Sequence, residues 1–298
     1  MSTSSGTGSA ATAPSGFPFR QETRATVRKR IGKLTKKGKQ WTATAGAATT
    51  VTFTEAKLIP DDTLVGQTLY IVSGTGAGRQ ALITDHVAST GVLTLSPTGT
   101  APDSTSVCEI WEEGTTVEDV NDAINLAIND AQETVLVELR SAPLAVASDG
   151  IEVTLPANMV YVQAMYVERS TANTFDEYKP VQSIAYLDEY PFSFALKGRY
   201  AYVSPILNAT QIAGYSTLVE FFGYRAPALP TIDADSLELP SEYVTYMAAF
   251  YLEAGQSEGP SLDPKQYAGR AGNWLRQALV RREEMRTMVD PDTVKVGA

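Results

Sequence analysis

Apolar residues recur at helical spacing through Val117, Val120, Ile124, Ile128, Ala131 and Val135, and this pattern predicts a helix over 115–140. Thr115 followed three residues later by Glu118 has the form of a capping box at its start. The other side of this helix carries Glu118, Asp119, Asp122, Asn125, Asn129, Asp130 and Glu133, so it presents an acidic face. A shorter pattern sets Ala25, Val27, Ile31 and Leu34 among Arg24, Arg28, Lys29, Arg30, Lys33 and Lys36, which predicts a basic amphipathic helix within 17–40. Helical spacing returns over 237–289. Pro240 opens a segment with Val244, Met247, Ala248, Tyr251 and Leu252. Asp263-Pro264 opens another, with Tyr267, Ala271, Trp274, Leu275 and Ala278 inward and Arg270, Arg276, Arg281, Arg282 and Arg286 outward.

Between these stretches the period shortens to two. Strand-like runs at 50–54, 68–72, 80–84, 91–95 and 106–110 are separated by turn clusters such as Pro60-Asp61-Asp62 and Ala101-Pro102-Asp103. They predict a small antiparallel barrel or sandwich over 41–114. A second β module, rich in Tyr and Phe, is expected over 150–229, with strands at 151–155, 159–168, 200–204 and 217–224. Residues 1–16 are small and polar without periodicity and read as a flexible arm, and 290–298 as a tail. The expected fold class is therefore α+β: a helical bundle built from N-terminal, middle and C-terminal helices, with two inserted antiparallel β modules.

Charge sharpens the picture. Nine of the 24 basic residues but only one of the 34 acidic residues lie in the first forty positions, leaving 15 basic against 33 acidic afterwards, a balance of −18. An acidic body repels a phosphate backbone, which suits a conduit through which DNA slides better than a general nucleic-acid binder. No stretch has the length and apolarity of a membrane helix, and the N-terminus lacks the apolar core of a signal peptide.

Candidate chemistry is sparse, and no cofactor is expected. Ser73-Gly74-Thr75-Gly76-Ala77-Gly78-Arg79 has the composition of a phosphate loop, but it connects two strands and no Lys-Ser or Lys-Thr pair follows, so it reads as a hairpin turn. His86 is the sole histidine and reads as a surface residue between strands; Cys108, the sole cysteine, reads as core. The clusters Glu112-Glu113, Glu118-Asp119-Asp122 and Asp233-Asp235-Glu238 match no calcium-loop spacing, and no metal site is assigned.

The stretch from Tyr70 to Gln80, continuing through Ile83-Thr84-Asp85 and Ser89-Thr90-Gly91 to Thr94, and then Thr100 to Thr105, resembles a β insertion common in phage virion proteins. Helix 115–140, the strand Val219-Glu220-Phe221-Phe222-Gly223-Tyr224-Arg225, the loop Ala226 to Leu229 and Leu237 to Tyr243 are similar to podophage tail tubular protein A and related head-to-tail adaptors. The resemblance implies a non-enzymatic structural protein of the virion neck, made in the host cytoplasm. It implies a ring, commonly of twelve copies, that binds the portal and the tail or nozzle proteins, extends the DNA channel, and retains the packaged genome without reading its sequence. On that expectation Arg24, Arg28, Lys29, Arg30 and Lys33 dock on the portal or a neighbouring subunit, and Glu118, Asp119, Asp122 and Asp130 face the channel. The alternatives are a tail-side virion protein, either a terminator or a minor receptor-binding component; a glycan-cleaving tail enzyme; and a DNA-binding protein using the basic helix.

Overall fold

The computed structural model describes residues 21–132, 134–147, 151–169, 175–189, 192–204, 215–256, 264–285 and 294–296. The expected arm over 1–16 and most of the tail lie outside the described residues. The chain divides into two compact units, one built from 19–131 with 228–285 and the other from 132–227 with the chain's ends.

The first unit opens with helix α1 (Arg24–Thr35) and then forms a seven-stranded sheet. Its strands are β1 (Gly38–Thr42), β2 (Ala45–Ala47), β3 (Thr50–Thr52), β4 (Thr68–Ser73), β5 (Gln80–Val87), β6 (Val92–Ser96) and β7 (Val107–Trp111). They lie in the order β1-β7-β4-β5-β6-β3-β2, and each neighbouring pair is antiparallel. Alternate residues build the core, with Val51, Leu69, Ile71, Ile83, Leu93, Leu95, Cys108 and Ile110 turned inward around Phe53 and Leu64. Helices α2 (Val117–Ala131), α3 (Ser241–Gln256) and α4 (Pro264–Met285) complete the unit, and α3 packs against α1, α2 and α4.

The second unit is a nine-stranded sheet formed by β8 (Val137–Arg140), β9 (Leu144–Ala145), β10 (Glu152–Thr154), β11 (Met159–Arg169), β12 (Phe175–Val181), β13 (Ser193–Lys197), β14 (Tyr200–Ser204), β15 (Tyr215–Arg225) and β16 (Val294–Lys295). The order is β10-β14-β13-β12-β11-β15-β8, with β9 on β15 and β16 on β11; β12 and β13 run parallel. Val162, Met165, Val167, Tyr178, Phe194, Phe221 and Val219 form its core.

The expected fold class is overturned. Among the described residues the chain is mostly β, with sixteen strands in two sheets against four α-helices, and the sheets rather than a helical bundle organise it. The helix expected over 115–140 closes at Ala131, and Val137–Arg140 is a strand on β15. Gly38–Thr42, Phe175–Val181 and Ser193–Lys197 also pair as strands, although their mixed polar composition gives no clean period of two. Helix α1 is seated on the sheet rather than only on other helices. A Cβ on Gly38 would lie 2.6 Å from Trp111 Cζ3, and one on Gly32 would lie 2.9 Å from Gly38 Cα, so these two glycines permit a close approach of helix, strand and indole.

Gly38→Ala is expected to force the buried Trp111 ring out of its place, at a cost of about 1–3 kcal/mol. Thermal unfolding followed by Trp fluorescence checks this: the transition of the first unit moves down by several degrees, whereas Gly78→Ala, whose added Cβ meets no atom within 4 Å but whose φ is +87°, reports backbone strain alone.

Candidate functional site

The basic helix begins with Thr23 as N-cap, its hydroxyl accepting from the Thr26 amide at 3.3 Å. The other amides of the first turn are met from a distant segment. Arg24 and Ala25 donate to the carbonyls of Asp235 and Asp233 at 3.0 and 3.2 Å, and Leu237 donates back to the Glu22 carbonyl at 2.9 Å. The loop that follows residue 228 is thereby stitched to the start of α1.

The five cations expected to form one docking face separate into two groups. Arg28 is fully buried. Its Nε donates to Glu109 Oε2 at 2.6 Å, its Nη1 and Nη2 donate to Asp233 Oδ1 and Oδ2 at 2.8 Å each, and Nη1 also donates to Asn121 Oδ1 at 3.0 Å. Arg24 adds a second guanidinium to Asp233 Oδ1 at 2.9 Å, Tyr70 donates its hydroxyl to Asp233 Oδ2 at 2.8 Å, and Trp111 donates to Glu109 at 3.2 Å. Arg30 reaches Glu22 at 2.7 Å. Arg24, Arg28 and Arg30 are therefore internal ties, whereas Lys29 and Lys33 are exposed one helical turn apart, with Lys36 beyond them.

Two arginines and two carboxylates meet in the buried network, so their formal charges cancel. Burial by itself would raise the Asp233 carboxyl, but the hydrogen bonds and charge of Arg28, with those of Tyr70 and Arg24, outweigh it and hold Asp233 far below the usual carboxylate range. Glu109 is raised, because its burial outweighs the opposing pull of Arg28 and Trp111. Burial likewise raises Tyr70 to about 12, reinforced by its bond to Asp233.

On α2 the capping box falls one residue later than the sequence pattern suggests: Asp119 Oδ2 accepts from the Thr116 amide at 2.7 Å, and the Asp119 amide donates to Thr116 Oγ1 at 3.2 Å, while Thr115 is buried. Glu118, Asp119 and Asp122 are exposed, but Asp130, expected beside them, is half-buried and tied to Arg282 at 2.9 Å and to the Tyr243 hydroxyl at 3.3 Å.

The remaining motifs serve the fold. His86, expected at the surface, is buried with Nε2 3.1 Å from the Ala56 carbonyl; a register shift between Ile83 and Asp85 flips the alternation of β5 and turns His86 inward. Cys108 is buried, and burial pushes its thiol up to about 12. The glycine-rich loop is the β4–β5 turn, and Arg79 at its end donates to the carbonyls of Thr100, Ala48 and Pro97 at 2.9 Å each. Asp235 accepts from the amides of Thr231 and Ile232, and Glu238 from that of Ala228, so these two acids hold their own loop while Asp233 serves the Arg28 network. Among the described residues no group of three or more His, Cys, Asp or Glu side chains could hold a metal ion.

The exposed face of α1 is flanked by two hollows. One, of about 410 Å³, is lined by Arg30, Lys33, Leu34, Glu242, Thr245 and Tyr246. The other, of about 210 Å³, lies between Lys29, Lys33 and Lys39 over Gly38, Trp111 and Glu109. Sequence reasoning did not anticipate either hollow, because the residues that floor them, Trp111 and Tyr246, arrive from strand β7 and helix α3.

Arg28→Met leaves the buried Glu109 without its guanidinium and the half-buried Asp233 with Arg24 and Tyr70 alone, and is expected to cost about 3–5 kcal/mol in denaturant unfolding. Asp233 sets an acid limb. Its folded value is depressed, so its contribution is fully present above the unfolded value of about 3.9 and is lost as pH falls below that. Urea midpoints taken between pH 6 and pH 2 are expected to fall less steeply for Asp233→Asn than for the parent chain. No protein-family model matches the chain, and comparison with curated proteins yields no match, so the surfaces and the buried network carry the functional reading.

Proposed function

We propose that this chain is a structural subunit of a tailed-phage virion, a head-to-tail adaptor that forms a ring at the neck, surrounds the passing DNA, binds the portal and offers the tail a platform. One observation carries the reading. The first unit neutralises its deep charges internally yet leaves two charged helical faces of opposite sign, Lys29 and Lys33 on α1 with Lys36 at its C-cap, and Glu118 and Asp122 on α2, without an ion pair among the described residues. Complementary surfaces on one polypeptide favour association with further copies and give that association a defined direction. The sequence resemblance to virion β insertions and neck adaptors supports the same station. The groups with chemical potential add support of another kind: His86 and Cys108 are enclosed in the core, and Asp233 is consumed by two arginines.

Imaging the purified protein by electron microscopy, alone and mixed with portal, tests the reading. Closed rings that seat on the portal are expected. A chain that stays a single subunit under both conditions, or that turns over a glycan substrate, overturns it.

A further inference from the structure

We propose that the lysine face of α1 is the docking site for the carboxylate face of α2 from the next copy of this chain, so that each ring contact pairs Lys29 and Lys33 with Glu118 and Asp122. This inference rests on the ring reading above and names the contact that would build it.

The receiving face has both shape and charge. Lys29 and Lys33 stand one turn apart, about 5–6 Å between their Cβ atoms, on a helix whose opposite side is sealed by Arg28, Ile31 and Thr35. The 210 Å³ hollow beside them has an apolar floor in Trp111, and the 410 Å³ hollow on the other side of Lys33 is partly apolar through Leu34 and Tyr246. Two cationic side chains beside partly apolar hollows would bind an anionic helix that also carries an apolar knob.

The face of α2 has that composition. Glu118 and Asp122 share the one-turn spacing of the two lysines, so the pairs can meet rung to rung. Leu126 stands one further turn along and is 50% exposed, on a helix whose inner side already buries Val117, Val120, Ile124 and Ile128. With Glu118 opposite Lys29 and Asp122 opposite Lys33, Leu126 falls one turn beyond Lys33, at the C-terminal end of α1 beside the exposed Lys36. Asp119 is committed to the helix cap and Asp130 to Arg282, which leaves Glu118 and Asp122 as the free carboxylates of α2 among the described residues, with Leu126 beside them. The carboxylates are thereby assigned to the subunit contact rather than to the channel wall.

Charge reversal with compensation tests the contact in the full-length chain, read by sedimentation velocity and electron microscopy. Lys29→Glu with Lys33→Glu, and separately Glu118→Lys with Asp122→Lys, are each expected to weaken assembly at least about tenfold, and raised salt is expected to weaken the parent ring. The chain carrying all four reversals regains assembly, and so does an equimolar mixture of the two double variants, because every contact formed is again between opposite charges. Leu126→Asp weakens assembly without changing the fold, as followed by circular dichroism. Should a double reversal unfold the unit, Lys29→Gln with Lys33→Gln and Glu118→Gln with Asp122→Asn give the same direction of change. Parent rings that persist in both reversed variants, or reversed variants that neither mixing nor combination restores, overturn this contact while leaving the ring reading intact. Loss of portal binding or of DNA retention in the lysine variant with rings unchanged overturns it too, and identifies the portal or DNA as the occupant. A parent chain that forms no ring at any concentration, with or without portal, refutes the ring reading itself.

Discussion

The buried guanidinium of Arg28 is the constraint around which the first unit is arranged. A fully enclosed cation must be matched in charge and in hydrogen bonds, and its partners come from three places far apart in the chain: Glu109 on β7, Asn121 on α2 and Asp233 on the loop beyond residue 228. The unit is made of two separate pieces of chain, 19–131 and 228–285, and Asp233 lies where the second piece returns to the first. An apolar cluster of the same volume could be as stable. What the ion network adds is selectivity of partner, because only a segment that delivers a carboxylate there can close over Arg28 and Arg24. The backbone bonds between Glu22, Arg24 and Ala25 and the carbonyls and amides of 233–237 then fix the register of that return.

With Arg28, Arg24 and Arg30 used in this way, the charge asymmetry of the sequence acquires a different meaning. The first forty residues hold a net positive charge, but part of it is structural and is cancelled inside the fold. What remains outside is the lysine face, and lysine suits that place: its compact ammonium on a flexible stem tolerates water and adapts to a partner, whereas the planar fork of arginine favours fixed bidentate partners such as Asp233. A similar division appears at the other end of α1. There Lys37 is buried 3.9 Å from Glu253, with Arg270 at 3.5 Å from the same carboxylate, while the neighbouring Lys36 stays exposed.

Periodicity made part of this legible. The inward row of α2 follows the spacing of Val117, Val120, Ile124 and Ile128, and strands β3 to β7 follow runs of alternating apolar residues between turn clusters. The departures have local physical causes. Thr115-x-x-Glu118 fits the capping-box pattern better on paper, but the reciprocal bonds form between Thr116 and Asp119 while Thr115 is buried. Strict alternation along β5 would place Asp85 inward, and the bulge there reverses it in favour of His86. The balance between helix and sheet was misjudged because Phe175–Val181 and Gly38–Thr42 earn their strand geometry from pairing with distant partners, a non-local effect that composition does not carry. The network of Arg28 was not legible: the sequence pattern sets Arg28 with the outward cations of the docking face, whereas the structure buries it. Its partners, 81 and 205 residues away, leave no local signal in the sequence.

The separation of the two exposed faces onto different helices constrains any assembly they build. If a patch complements a different patch on the next copy, each added subunit leaves one lysine face and one carboxylate face open at the ends of the growing chain. Association then continues until the ends meet, and the angle between the two faces sets the number of copies at closure. A two-fold dimer would need both faces of both copies to engage at once, which satisfies the charges but ends growth at two. Leu126 and the hollows beside Lys33 bear on this choice, because an apolar knob must enter its hollow at one approach angle, whereas exposed charges alone accept many. In the proposed contact the uncharged Leu126 is therefore the side chain that gives direction, with the charges selecting which faces meet.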